Sequence, residues 1–119
     1  MKDLNAVYQE LKAIMQLYAE RLETTLDSDS ELYVDTRHIQ KNKKPLFFGA
    51  VQIKKNYVSY YLMPVYVDPD LLDGVSDKLR KRMQGKSCFN FTDIDQALLD
   101  ELAQLTQAGF HSYEQQGWV

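Results

Sequence analysis

The stretch LFFGAVQIK-KN-YVSYYLMPVY, residues 46–66, decides the fold of this chain. Its two apolar segments flank Lys55-Asn56, and Asn tolerates the positive φ that a tight hairpin turn requires. A hairpin here sets Val51 opposite Tyr60 and gives one wholly apolar face, whereas a slip of one residue mixes apolar and polar side chains. Pro64 has no N–H to pair, so the second strand either ends there or lies at an edge of the sheet. The sequence therefore predicts a two-stranded unit with one face in the core.

The other face of this hairpin is the predicted binding surface. It carries seven side chains: Phe48, Gln52, Lys54, Tyr57, Ser59, Tyr61 and Met63. Aromatic and methionine side chains are enriched at protein interfaces, and exposed apolar patches mark interaction sites. We therefore predict that this face contacts a protein partner or a second copy of the chain, while Tyr60 belongs to the core.

Two further segments have the periodicity of amphipathic helices. Apolar residues recur at three- and four-residue steps from Lys2 to about Thr25, and a second stripe begins at Ile94, where Thr92 is the expected cap. Strands are predicted over residues 32–39 and 86–91. Because each helix has a single apolar stripe, both are expected on one sheet face. The prediction is a two-layer α+β fold: one domain over residues 1–119, an antiparallel sheet of three to five strands, and N- and C-terminal helices on one face.

Composition narrows the class of protein. With 119 residues, 45% of them hydrophobic and 26% charged, the chain is long enough and apolar enough for one globular core. The single cysteine, Cys88, excludes an intramolecular disulfide and suits a reducing compartment. The longest apolar run, Leu46 to Val51, is too short to span a bilayer. We predict a cytoplasmic protein with no membrane contact.

The charge is unevenly distributed along the chain. Residues 36–60 contain six basic and no acidic side chains, namely Arg37, Lys41, Lys43, Lys44, Lys54 and Lys55. Basic residues interleaved with stacking aromatics are the composition of a platform for single-stranded nucleic acid, which is one alternative function. The pI near 5.3 and the lack of an RNP-like motif argue against it.

Acidic residues instead lie on the solvent side of the first predicted helix and directly after it. Four of them are candidate metal ligands: Glu20, Glu23, Asp27 and Glu31. Carboxylate oxygens hold hard cations weakly when they are exposed and loosely ordered. A solvated acidic surface is the other interpretation of this segment.

No catalytic motif is complete. Gly85-Lys86-Ser87 resembles the end of a phosphate-binding loop, but Arg80 stands where that motif requires a glycine. Neither histidine lies near Cys88 in sequence, and His38 and His111 do not have the spacing of zinc ligands. We therefore predict a non-enzymatic domain with no definite cofactor.

The segment YVSYYLMPVYVDPDLLDGVSDKLRKRMQGKSCFNF, residues 57–91, followed by DIDQALLDELAQL, residues 93–105, resembles the YdhG-like family of small bacterial domains. The likeness covers roughly residues 46–109. Its most specific pieces are the strand before Pro64, the Leu71-Leu72-x-Gly74 turn, Met83-Gln84-Gly85-Lys86, and Ile94-Asp95. The resemblance implies an α–sheet–α fold with both helices on one face.

The resemblance also implies a function. Some members are described as frataxin-like intracellular iron chaperones, and frataxin-like proteins bind ferrous iron through acidic residues near the first helix and first strand. Such proteins use the open sheet face to meet iron–sulfur assembly partners. Glu20, Glu23, Asp27 and Glu31 occupy that region here, as an acidic cluster rather than as a motif. The resemblance therefore implies Fe²⁺ as the one possible cofactor, and a ferrous-iron chaperone is a second alternative to a binding domain of unspecified ligand.

Overall fold

A computed structural model describes residues 3–119, in which helices lie against one side of a five-stranded sheet. Two short 3₁₀ turns, Ala19–Arg21 and Pro69–Leu72, connect larger elements. The helices and strands in chain order are α1 (Leu4–Gln16), β1 (Glu23–Asp27), β2 (Glu31–Ile39), β3 (Pro45–Ile53), β4 (Val58–Leu62), α2 (Pro64–Val67), α3 (Asp77–Arg80), β5 (Cys88–Phe91) and α4 (Gln96–Gln115).

The sheet is an antiparallel meander. The strands lie in the order β1-β2-β3-β4-β5, so each pairs with its neighbour in sequence. In the β3–β4 hairpin Val51 lies opposite Tyr60 and Gly49 opposite Leu62, which confirms the predicted register. β4 ends at Leu62 and Pro64 opens α2, so the predicted strand end is also confirmed.

Helices α1 and α4 share one face of the sheet. Tyr60 is fully buried, and its hydroxyl lies 2.7 Å from Thr106 Oγ1 on α4. Further along α4, the Tyr113 hydroxyl donates to the Phe47 carbonyl at 3.0 Å. Tyr8 and Leu11 of α1 are fully buried in the same core. The predicted α+β fold, with both terminal helices on one face, is therefore confirmed.

The first helix is shorter than predicted. Its expected start at Lys2 lies outside the described residues, and the prediction that it runs to about Thr25 is wrong, because residues 23–27 form strand β1. The β-branched pair Thr24-Thr25 favours a strand. The turn at residues 27–30 closes the β1–β2 hairpin: Ser28 Oγ accepts from the amides of Ser30 and Glu31 at 3.2 and 3.1 Å.

A β-bulge changes the faces at the start of β3. Val34 pairs with Gly49 and Asp35 with Phe47, so Phe48 is an extra, unpaired residue. Phe48 therefore points into the core, fully buried, with its ring centroid 6.1 Å from that of Phe110. The prediction that Phe48 lies on the binding face is wrong. One extra residue in β3 places the side chains before it on the opposite sheet face from the one that simple alternation assigns.

The last helix begins later than predicted. Asp95, not Thr92, is the N-cap, and its Oδ1 accepts from the amides of Ala97 and Leu98 at 3.1 and 3.4 Å. Ile94 precedes the helix and is 48% exposed, so it does not belong to the buried stripe. The helix continues past Gly109, where a Cβ would lie only 2.8 Å from the Pro64 Cβ. Glycine at this position permits the close approach of α2.

Candidate binding surface

The sheet side that faces away from α1 and α4 is called the open face below. One row of side chains crosses all five strands on it: Leu26, Tyr33, Ala50, Tyr61 and Cys88, each paired with the next. Ala50 is 1% exposed, and its small side chain lies between Tyr33 and Tyr61 in this row. The Tyr33 ring stacks on Phe47, with centroids 4.8 Å apart and planes at 27°. The centre of the open face is therefore a small aromatic platform on rigid strands.

A second row on the open face is polar and internally bonded. Gln52 Nε2 donates to Glu31 Oε2 at 2.6 Å, and Lys54 Nζ donates to Gln52 Oε1 at 2.6 Å. Ser59 Oγ donates to Asn90 Oδ1 at 2.8 Å. These bonds satisfy the polar groups beside the platform and hold their side chains in place.

The predicted binding residues fall into three groups. Gln52 and Tyr61 lie on the open face, and Lys54 bonds to Gln52. Tyr57 and Met63 directly precede and follow β4, and all five side chains keep part of their surface accessible. Ser59 lies on that face but is only 1% exposed, so it supports the surface rather than offering contact. Phe48 belongs to the core, as the bulge requires.

The basic residues do not form a continuous track over this face. Lys41, Lys43 and Lys44 lie in the turn between β2 and β3, whereas Lys54 and Lys55 lie at the opposite end of β3, about 30 Å away along the strand. Arg37 is occupied by Glu23, with Nε to Oε2 at 3.3 Å. The interleaving of basic and aromatic residues seen along 36–60 is therefore not kept on this face: cations lie at its two ends, and acids lie nearer the centre.

Two of those acids flank the aromatic platform. Asp35 and Glu31 lie on either side of Tyr33 along β2. Partial burial raises the pKa of the Asp35 carboxyl, because desolvation disfavours its charged form. Burial also raises the pKa of the Tyr33 hydroxyl, and the negative charges of Asp35 and Glu31 raise it further. Tyr33 therefore acts as a neutral donor or acceptor at physiological pH.

The four acidic residues weighed as iron ligands are held apart. Asp27 forms an ion pair with Lys12 Nζ at 2.5 Å on the helix side, whereas Glu23 and Glu31 are engaged on the open face by Arg37 and Gln52. Glu20 lies in the 3₁₀ turn before β1. Within residues 3–119 no three His, Cys, Asp or Glu side chains lie close enough to hold a metal ion. These carboxylates are separated because α1 ends at Gln16 and residues 23–27 form β1. Iron binding by them stays a prediction.

Sequence reasoning left several open-face residues out of the site: Leu26, Tyr33, Phe47, Cys88 and Asn90. The alternation of Tyr33 with Leu32 and Val34 did indicate its orientation. No pattern in the sequence indicates that Phe47 lies on the open face, because the bulge that places it there depends on the pairing of β3 with β2. Cys88 lies opposite Tyr61, and burial is the main cause that raises the pKa of its thiol. A thiol that stays protonated is a poor nucleophile.

Comparison with known proteins adds no relative: no family model, curated protein or solved structure matches this chain. The resemblance to the YdhG-like family therefore stays a prediction. Among the helices that residues 3–119 form, none is long and apolar enough to cross a membrane.

Proposed function

We propose that this chain is a small non-enzymatic intracellular binding domain that contacts a protein partner through its open face. The observation that carries the proposal is the row from Leu26 through Tyr33 and Tyr61 across five strands, on the side of the sheet that α1 and α4 leave uncovered. The helices already bury the other face, so the open face is where the sheet has accessible apolar surface.

The composition of the open face fits a protein partner. Binding energy at protein interfaces is concentrated in a few central residues, with tyrosine among the commonest, surrounded by polar groups that exclude water. Tyr33 and Tyr61 are the central pair here, and Gln52 with its bonded neighbours forms the polar rim. Because the strands and the Tyr33–Phe47 stack already fix the rings, little side-chain entropy is lost on binding.

Charge indicates the chemistry of the partner. The acids Glu31 and Asp35 flank the platform, and the Glu23 charge is offset by Arg37. A partner with an apolar or aromatic anchor and adjacent basic residues complements this pattern. Two copies of this face would instead bring like charges together, which disfavours self-association through it.

The same charges make single-stranded nucleic acid a poorer candidate. Such platforms need a positive groove that follows the phosphate backbone. Here the lysines lie at the two ends of β3, and carboxylates lie between them beside Tyr33. Salt-dependent binding of a single-stranded oligonucleotide at low ionic strength would favour that alternative over a protein partner.

Quantitative capture tests the proposal. The wild-type domain, Tyr61→Ala and a matched control on the helix side, Gln107→Ala, are immobilised and exposed to lysate of the source cells after nuclease treatment. Gln107 is an exposed residue of α4. We expect wild type and Gln107→Ala to retain the same protein, and Tyr61→Ala to retain at least about tenfold less, as for a central interface residue. Equal retention by all three proteins contradicts the proposal.

A further inference from the structure

A cleft separate from the open face lies between α2, the 3₁₀ turn Pro69–Leu72 and the segment that leads into β5. Its volume is about 610 Å³, within the range of small-molecule sites in proteins. The side chains that define it are Val65, Tyr66, Pro69, Leu72, Met83 and Lys86.

The walls of this cleft favour an aromatic ligand. Tyr66 is 53% exposed, so its ring is accessible to a ligand in the cleft. Its ring, the Pro69 ring and the Met83 thioether are groups that pack well against aromatic rings. Leu72 adds an aliphatic surface between them. A flat ring system is therefore the shape and chemistry that these side chains accept.

One cation lies at the cleft, and its charge is available. Lys86 Nζ lies 5.8 Å from the Tyr66 ring centroid, so the ammonium is held near the aromatic wall. Other cations of this region have partners: Lys78 pairs with Asp95 at 2.7 Å, and Arg82 pairs with Asp93 at 3.7 Å. The Arg80 guanidinium donates to the carbonyls of Leu72 and Val75. Within residues 3–119 Lys86 forms no ion pair, and none of the cleft's lining residues is acidic.

The backbone beside Lys86 adds hydrogen-bond donors. Gly85 has φ +86°, a left-handed conformation that glycine adopts without steric cost. The amides of Gly85 and Lys86 donate no hydrogen bond to any group in the described part of the chain. Successive free amides at a left-handed residue are a recurrent feature of anion-binding loops.

We propose that this cleft binds a small aromatic carboxylate, with its ring between Tyr66, Leu72 and Met83 and its carboxylate at Lys86. The inference does not depend on the function proposed for the open face, because the two surfaces share no residue. It explains why an apolar cleft has a single cation whose charge is not used elsewhere.

The test compares a charged probe with its neutral isostere. The ¹⁵N-labelled protein is titrated with 2-naphthoate, indole-3-acetate, 4-phenylbutyrate and the uncharged 2-naphthamide. For a probe of about 13 non-hydrogen atoms, a Kd on the order of 1 mM is expected. We expect saturable amide shifts confined to residues 65–72 and 83–87, and tighter binding of 2-naphthoate than of 2-naphthamide.

Two variants locate the interaction. Lys86→Met keeps the aliphatic stem and removes the charge, so it should weaken 2-naphthoate binding about threefold and leave 2-naphthamide unchanged. Lys81→Met, at an exposed lysine outside the cleft, is the matched control and should change neither. The proposal is overturned if no carboxylate gives saturable shifts at these residues, or if the acid and the amide bind equally well to wild type and to Lys86→Met.

Discussion

Replacing two adjacent tyrosines of β4 with alanine tests which side of the sheet is the core. Tyr60 and Tyr61 follow one another in β4, so their side chains point to opposite faces. Tyr60 is 0% exposed and bonded to Thr106, whereas Tyr61 keeps part of its ring accessible. The two variants lose the same atoms from the same strand, and only the environment differs.

The expected loss of stability in each variant follows from how deeply the tyrosine is buried. Truncating a buried aromatic side chain to alanine costs about 3–5 kcal/mol, so about 4 kcal/mol is expected for Tyr60→Ala. Thr106 retains its bond to the Leu102 carbonyl at 2.9 Å, so no buried donor is left unpaired. At Tyr61 the space opens to solvent and leaves no sealed cavity, so the loss is mainly strand preference, about 1 kcal/mol.

Urea denaturation followed by circular dichroism measures both losses. With a slope of about 1.5 kcal/mol per molar urea, the midpoint should fall by about 2–3 M for Tyr60→Ala and by less than about 1 M for Tyr61→Ala. Tyr60→Phe, which removes only the hydroxyl, should lose about 1 kcal/mol of stability, well below the loss for Tyr60→Ala. A larger loss for Tyr61→Ala than for Tyr60→Ala would refute the assignment of faces.

Four further outcomes are expected. Gly49→Ala should destabilise the protein by about 1–3 kcal/mol in urea melts, because the new Cβ would lie 2.6 Å from the Tyr61 carbonyl oxygen, and an unchanged midpoint would contradict this packing. The pKa of Asp95 is lowered, first by its hydrogen bond to Lys78 and then by the helix amides. Its contribution to the stability of the fold is therefore present above the usual aspartate pKa and is lost as pH falls through the lowered value. Asp95→Ala should therefore lower the Tm at pH 7 and have less effect near pH 2, whereas a pH-independent difference would argue against this role. Cys88 should react with iodoacetamide at pH 7.5 more slowly than free cysteine because burial raises its pKa, and a rate equal to that of free cysteine would exclude the buried setting. Anaerobic titration with ferrous iron should give no saturable NMR broadening confined to residues 20–31, since those carboxylates are held apart, and localised saturable broadening would restore the iron-chaperone alternative.

The β3–β4 hairpin could be predicted because local pattern and final packing agree there. The alternation of apolar and polar residues allows only one register, and the turn at Asn56 is compatible with it. The position of Pro64 and the buried environment of Tyr60 follow from the same pattern. Because each terminal helix has a single apolar stripe, both helices could be predicted to lie on one face of the sheet.

The errors arose where a long-range contact overrides a local signal. Leu22 continues the helical spacing of α1 but is buried after the helix has ended, because the segment from Glu23 pairs with β2 instead. The bulge at Phe48 appears only once β2 and β3 are paired. The predicted proximity of Glu20 and Glu23 depends on a helix that runs to about Thr25, but Glu20 lies in a 3₁₀ turn and Glu23 begins strand β1.

Photocrosslinking in the source cells tests the central claim, contact of a protein partner with the open face, most directly. The photoreactive residue p-benzoylphenylalanine replaces Tyr61 on the open face or Gln107 on α4, and adducts are resolved after irradiation with and without nuclease. We expect a nuclease-resistant protein adduct from position 61 and none from position 107. An adduct from position 107 alone, or the absence of a protein adduct at position 61, would contradict the claim.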